Sequence, residues 1–509
     1  MEVINPEERL VRRDAGGRAS TLALVAIALV VTVIHLLTNG RYGFHRDEFQ
    51  FLSDARHLDW GYVAYPPFTP FVERIGLEIF GVSMVGLRLL SVIAQAVAIV
   101  AAGLMARELG GGRLAQVTSA LVVATSGLPV FEGTEFQYST FDYLWWLLIA
   151  YFVIRLLKTE DPRWWVAIGA AIGAGLMTKY TICFFVAGVL GGMVLTGARR
   201  FFLSGWFWGG VGVALLIFLP NLVWQVRHGF VSVHFLQHIH VRDVGEGRAN
   251  GFWRDQFIIC ANLFAAPLWI AGLIYFFWER RYRMLGWMYV VPLALFVIGK
   301  GRGYYMAAAY PMLMAMGAVA GERWLGSLKQ GWRMAVEGVF FLGLGAWGAF
   351  AFALLVPLAS SGPLRQFALK NNGDLREEIG WDELVKNVAT IRDSLPQEQR
   401  ASVGVLVGNY GEAGAVEILG PAYHLPAPIS MTNSAWLRGY PTPQPTTLIV
   451  VGFSREAADR LFTACTLAGH NGNSEGVKNE ESEYHPDIFV CGPPRVPWPE
   501  FWSTHQRYG

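Results

Sequence analysis

The stretch Thr21–Leu37, TLALVAIALVVTVIHLL, decides the fold, because it runs seventeen residues with His35 as its one titratable side chain. A surface helix of that length shows a polar face to water, and this one has none. It reads instead as a membrane span, close to the ~20 residues that cross a hydrocarbon core. The basic stretch before it leads in without a small-residue cleavage site, so it is expected to stay as an uncleaved first span.

Ten further apolar runs follow: Met84–Met105, Leu114–Phe131, Phe141–Leu157, Trp164–Met177, Thr181–Leu195, Gly205–Val223, Phe257–Trp278, Leu285–Gly299, Tyr304–Ala320 and Ala335–Val356. With 53% hydrophobic and only 16% charged residues, against about 25% charged in soluble domains, the chain predicts a mainly α, polytopic bundle of about eleven transmembrane helices. Several runs are short enough to be tilted or partly re-entrant.

The basic residues alternate between the gaps. Arg9, Arg12, Arg13 and Arg18, then Arg107 and Arg113, then Arg155, Lys158 and Arg163 fall on one side, with Arg199, Arg200, Arg280, Arg281, Arg283, Arg323, Lys329 and Arg333. The positive-inside rule makes that side the cytoplasm. The division expected is a cytoplasmic tail over 1–20, a transmembrane domain over 21–357 with outer loops 38–83 and 224–256, and an extracytoplasmic domain over 358–509. A multi-pass protein of the cytoplasmic (inner) membrane follows. The net charge of +2 says nothing about nucleic acid, and its clustering between apolar runs matters more; the partners expected are membrane lipids and no nucleic acid.

Beyond residue 357 the composition shifts. Ser402–Val407 and Thr447–Val451 read as buried strands and Tyr410–Leu419 and Ser454–Cys465 as helices, a small α/β domain. Cys465 and Cys491 can pair if this part is exported, whereas Cys183 and Cys260 lie in apolar runs as small hydrophobes.

The chemistry gathers in the outer loops. Immediately after the first span, Arg41-Tyr42-Gly43-Phe44-His45-Arg46-Asp47-Glu48-Phe49 sets two carboxylates beside protonatable and cationic groups. Either they are used, or Asp47 caps a helix and Glu48 follows in its first turn. Phe51, Leu52, Ala55 and Leu58 then recur at helical spacing, as in an interfacial helix, and Tyr65-Pro66-Pro67 turns the chain back. Asp142 opens the fourth span. Lys179-Tyr180 and Lys300-Gly301-Arg302-Gly303-Tyr304-Tyr305 make short outer loops that are basic against the usual bias, which points to a bound anion such as phosphate. In the 224–256 loop, His234 and His238 share one helical face, and Arg242 follows. That loop can be mobile, can close over substrate as a lid, or can hold a metal.

Together these residues resemble the bacterial membrane glycosyltransferases of the GT-C superfamily that use polyprenyl-phosphate sugars, notably the lipid A aminoarabinose transferases and the protein O-mannosyltransferases. The resemblance reaches to about Ala320. Its carriers are Asp47-Glu48, Pro66-Pro67, Arg88, Asp142, Gly175-Leu176-Met177-Thr178-Lys179, and Lys300 with Tyr304, Tyr305 and Pro311. One departure is Tyr65, where the lipid A enzymes carry a lysine before the paired prolines. The segment Asn409–Ala415 looks like one in uncharacterised bacterial relatives, without a role.

The resemblance implies inverting sugar transfer from a polyprenyl-phosphate donor to a hydroxyl of a lipid, glycan or protein acceptor at the outer face. Asp47 is then the general base, with Glu48 and Asp142 beside it in the catalytic set. Arg46, Arg88, Lys179, Lys300, Arg302, Tyr304 and Tyr305 hold the donor phosphate, and His234, His238 and Arg242 belong to a lid. No cofactor is required, and a divalent metal stays open. Two rivals stand beside it: a transporter or flippase of lipid-linked sugars, and a non-catalytic, membrane-anchored binding protein.

Overall fold

The structure, a computed structural model, describes residues 6–509, with side chains from residue 19 onward. Arg9, Arg12, Arg13 and Arg18 of the expected tail lie outside the described side chains. The chain divides into two compact units, one comprising Met1–Thr38, Arg88–Leu222 and Asp243–Val356, the other Asn39–Leu87, Val223–Arg242 and Pro357–Gly509. The sequence division kept the two outer loops with the spans; in space, most of their length joins the C-terminal segment.

The first unit is helical and apolar. Among the described residues six helices are long and apolar enough to cross a membrane: Ala19–Thr38, Met84–Glu108, Tyr138–Thr159, Gly205–Arg227, Arg280–Ile298 and Gln330–Leu355, or up to eight if two bent pairs each count as one. Hydropathy alone gave eleven candidates; part of the difference lies in short helices such as Trp164–Leu176 and part in breaks that hydropathy does not see. The run Leu114–Phe131 splits into the helices Arg113–Ala124 and Gly127–Glu132, and Phe257–Trp278 bends by 93° after Ile258. Each break frees backbone groups that lipid cannot satisfy. Here the two breaks serve each other: Leu128 N donates to Ile259 O (2.9 Å), Asn262 N to Ser126 Oγ (3.0 Å), and Asn262 Nδ2 to Thr125 Oγ1 (3.0 Å).

Close helix approach depends on small residues, since lipid tails offer no hydrophobic drive between spans. A Cβ on Gly272 would strike the Leu313 carbonyl, and one on Gly317 the Leu268 carbonyl, so this pair lets Ala266–Trp278 and Tyr310–Gly326 touch backbone to backbone. At one end of the unit, Glu108 pairs with Arg155 (2.8 Å) and Lys158 (2.9 Å), while Glu322 accepts from the free N–H groups of Leu114 and Ala115. That is the end carrying the basic loops Arg107–Arg113 and Arg155–Arg163.

The second unit holds a five-stranded sheet of β1 (Val403–Val407), β2 (Pro428–Ser430), β3 (Thr447–Val451), β4 (Thr466–His470) and β5 (Asp487–Cys491), in the order β2-β1-β3-β5-β4. The first three strands are parallel and the last two pairings antiparallel. Strand periodicity sorts its core: Val405, Val407, Ile449 and Val451 face one side with Trp381, Leu384 and Val416, while Leu406, Leu448 and Val450 face the other with Trp498 and Phe501. The two strands and the helix Tyr410–Leu419 agree with expectation to within a residue, and the second expected helix is shorter, Arg455–Leu461. β2, of three residues, and β4, largely exposed, carry little apolar signal and went unread; β5, as long and nearly as buried as β1, was missed as well.

Cys465 and Cys491 form a disulfide across 26 residues. Closing a loop of that length restrains the unfolded chain by about 3 kcal/mol. The double variant Cys465→Ser/Cys491→Ser is therefore expected to lower the unfolding midpoint of the purified protein by several degrees, and an unchanged midpoint would show that the crosslink contributes nothing.

Candidate functional site

In the first unit the chemistry gathers at the start of the helix Tyr138–Thr159, about 30 Å by helical rise from Lys158 at its other end. The helix Trp164–Leu176 stops, the chain turns through Met177–Thr181, and Ile182–Val194 begins. Lys179 sits on that turn, its amide donating to Gly175 O (2.9 Å) and its neighbour Thr178 accepting from Trp145 Nε1 (3.0 Å). Three tyrosine rings surround the Lys179 ammonium, at 4.7 Å for Tyr138, 5.7 Å for Tyr304 and 4.6 Å for Tyr305. Ring faces attract a cation while leaving its N–H donors available, unlike a carboxylate partner.

Asp142, buried one turn into the same helix, accepts from Trp146 Nε1 (3.1 Å) and Thr181 Oγ1 (3.1 Å). It is not the helix cap; that position belongs to Gln137. Asp142 and the buried Glu132 both feel the positive charge of Lys179. Lys179, Tyr304, Tyr305 and Asp142 thus come together as the sequence implied. Tyr138, Trp146 and Thr181 were missed, since nothing in their local sequence separates them from ordinary span residues.

The other expected phosphate ligands are differently placed. Arg302 is gripped by Asp243 through two hydrogen bonds, Nε to Oδ2 (2.6 Å) and Nη2 to Oδ1 (2.8 Å). Gln256 Nε2 donates to Gly303 O (3.0 Å), which pins the same turn. Lys300, with a left-handed backbone (φ 49°), is exposed beside a cavity of about 290 Å³ walled by Phe252, Trp253, Phe296 and Val297. Arg88 is wholly buried within the helix Met84–Glu108.

In the second unit, the helix Arg46–Arg56 carries the acidic pair. His45, not Asp47, occupies the N-cap: its Nδ1 accepts from Asp47 N (3.2 Å), and Glu48 returns the capping box by accepting from His45 N (2.7 Å). Glu48 is thereby engaged in holding the helix start. Arg46 is buried, ion-paired with Glu480 and set over the Tyr410 ring at 4.9 Å. Asp47 is half-buried and accepts from Tyr410 Oη (2.8 Å). The Asn409–Ala415 segment thereby gains a role: Tyr410 reaches Asp47, and Gly414 lacks the Cβ that would strike the Phe49 carbonyl, so the two helices can touch.

The Tyr65 departure also resolves, because its hydroxyl donates to buried Asp54 (2.5 Å), to which Arg438 is ion-paired. His234 and His238 are exposed on the helix Val231–Gly245. Its Ser232 donates to Tyr62 O (2.9 Å), and Phe235 and His238 pack against Tyr508; Arg242 lies against Gly509. Among the described residues no cluster of three or more His, Cys, Asp or Glu could hold a metal.

Burial pushes Asp54 up to about 6 against the pull of Arg438, and Glu412 up to about 8 with Glu481 adding to the push. The folded unit holds protons that unfolded carboxyls release near 4. Their contribution to stability is therefore fullest below about pH 4 and is lost as pH rises from there to 6 for Asp54 and to 8 for Glu412. The unfolding midpoint should be lower at pH 8.5 than at pH 5, and Glu412→Gln, which keeps the capping box, should flatten the slope. A midpoint that rises over this range would contradict the assignment.

Residues 64–224 match the family model described as dolichyl-phosphate-mannose-protein mannosyltransferase. The chain is 26% identical over 386 residues to the lipid A galacturonosyltransferase RgtD of Rhizobium johnstonii, covering 72% of this chain and 77% of that protein. It is 27% identical over 307 residues to an undecaprenyl phosphate-alpha-4-amino-4-deoxy-L-arabinose arabinosyl transferase of Pseudomonas fluorescens, and there it spans about half of the relative, 53% of its length. In fold it is similar to ArnT from Cupriavidus metallidurans bound to undecaprenyl phosphate, with a TM-score of 0.55, 16% identity, and coverage of 92% of this chain and 97% of that one.

Proposed function

We propose that this chain, which belongs to the GT-C superfamily of membrane glycosyltransferases that use polyprenyl-phosphate sugars, moves a sugar from such a donor to an acceptor hydroxyl at the outer face of the membrane. The sugar passes by direct displacement with inversion. Asp47 takes the acceptor proton as the new bond forms. Lys179, with Tyr304 and Tyr305, holds the lipid phosphate, whose charge grows as the glycosidic C–O bond breaks.

The carrying observation is the Lys179 ammonium among three tyrosine rings, a cation that no carboxylate salt-bridges among the described residues, at the opposite end of its unit from the basic loops. That end is the outer one by the positive-inside rule, and the Cys465–Cys491 disulfide fits a second unit in an oxidising compartment. Arg302 and Lys300 then act from the following turn, Arg302 already oriented by Asp243. Arg46 and Glu48 hold the Asp47 helix, and Asp142 tunes the field around Lys179. The acceptor is a lipid, glycan or protein hydroxyl. A flippase would place its ionisable groups near the bilayer midplane, whereas Lys179 lies level with the first turn of a spanning helix.

Purified protein incubated with radiolabelled undecaprenyl-phosphate sugars and an envelope lipid extract tests this. Label leaving the carrier for an acceptor is the expected result. Label that only changes leaflet, or that stays bound, would replace enzyme by transporter or by binding protein.

A further inference from the structure

A cavity of about 490 Å³ lies wholly within the second unit, ringed by Arg56, His57, Asp59, Trp224, His228 and Arg438 among others. That is within the range of small-molecule sites. One wall is aromatic: the His228 imidazole lies on the Trp224 indole with centroids 4.0 Å apart and planes 20° from parallel. Asp59, the one carboxylate among the lining residues, has both oxygens engaged, by Trp224 Nε1 (2.7 Å) and by the Trp60 amide (2.7 Å).

The cations are not answered in the same way. Arg438 is paired behind the wall with Asp54, and His57 with Glu417 (3.0 Å). Arg56 donates only to a main-chain carbonyl, that of Glu417 (3.0 Å), and among the described residues no carboxylate pairs with it. Two guanidiniums and two imidazoles therefore line one cavity opposite a single, occupied carboxylate. Arg56 is thus the guanidinium of the lining without a carboxylate of its own among the described residues, and a bound anion beside it makes a charge-assisted pair.

We propose that this cavity binds an anionic saccharide, a sugar ring bearing a phosphate or carboxylate, with the anion against Arg56 and Arg438 and the ring against the Trp224–His228 stack. Its role rests on the transferase reading, in which the ligand is the non-reacting, anion-bearing portion of the acceptor. Binding there supplies the positioning energy that a remote substrate group contributes to transfer.

Saturation-transfer NMR titrations on the full-length protein in nanodiscs, with no donor present, test it without needing turnover. The probes are glucose 6-phosphate, glucuronate, glucose and inorganic phosphate. Saturable binding of one or both anionic sugars is expected, weaker by about tenfold for glucose and for Arg56→Ala, and largely restored in Arg56→Lys. Phosphate arms and carboxylate arms distinguish which anion the site takes. Lys179→Ala, expected to slow transfer, should leave this binding unchanged. Binding by neither anionic sugar, equal binding of glucose, inorganic phosphate as tight as glucose 6-phosphate (an adventitious ion only), or indifference to Arg56→Ala would each overturn the site. Intact binding in a wild-type protein that transfers no sugar would leave the site and remove its acceptor role.

Discussion

Asp47→Asn is expected to give folded, membrane-inserted protein whose sugar transfer is lowered by at least ~10²-fold. The substitution separates chemistry from folding because Asp47 is not the helix cap: His45 and Glu48 close the capping box without it. What Asn removes from the fold is one first-turn charge, worth about 0.3–1 kcal/mol. Tyr410 can still donate to the remaining amide oxygen, so the geometry at Asp47 survives while its ability to take a proton does not. Glu48→Gln keeps a residue that the capping box accepts, and so it should cost far less activity than Asp47→Asn. Transfer at the wild-type rate in Asp47→Asn, measured with the labelled donor, would take Asp47 out of the reaction.

Lys179→Ala is expected to lower turnover by about 10²–10³-fold, the usual consequence of deleting one preorganised group at a site of developing negative charge. Half-burial among three rings makes the ammonium more effective than an exposed lysine, since the same charge acts through less water. Lys179→Arg should recover only part of the loss, because a planar guanidinium spreads its charge over a larger group than the point-like ammonium the three rings surround. Turnover and undecaprenyl phosphate binding, measured together, separate the two ways of failing: loss of both places Lys179 on the phosphate, while normal turnover would reduce it to a counter-charge for Asp142 and Glu132.

How legible all this was in the sequence depended on whether a signal was local. Lys179, Tyr304 and Tyr305 could be grouped because each broke a local rule, a basic outer turn where outer turns are seldom basic, and the structure brings all three within one cage. The strands β1 and β3 were legible as short apolar runs bounded by turn residues. Tyr410 was not, because its partner Asp47 lies 363 residues earlier and a tyrosine at a helix start carries no mark of what it touches. Nor was the pairing of Arg302 with Asp243, two residues 59 apart in the chain. The broken helices escaped for a related reason: Asn262 satisfies Thr125 and Ser126 from a distant run, and hydropathy scores each run alone. The helix that carries the histidines was equally hidden, since a polar, His-rich loop gives no local sign of Tyr62 and Tyr508, the residues it packs against.

The most direct test of displacement with Asp47 as base is the anomeric configuration of the sugar on its acceptor, read by NMR on product made from a donor of defined configuration. Inversion is predicted, because the acceptor oxygen attacks the face opposite the departing phosphate in a single step. Retention would demand a covalent sugar–enzyme intermediate or a front-face route, and would contradict the assignment of Asp47.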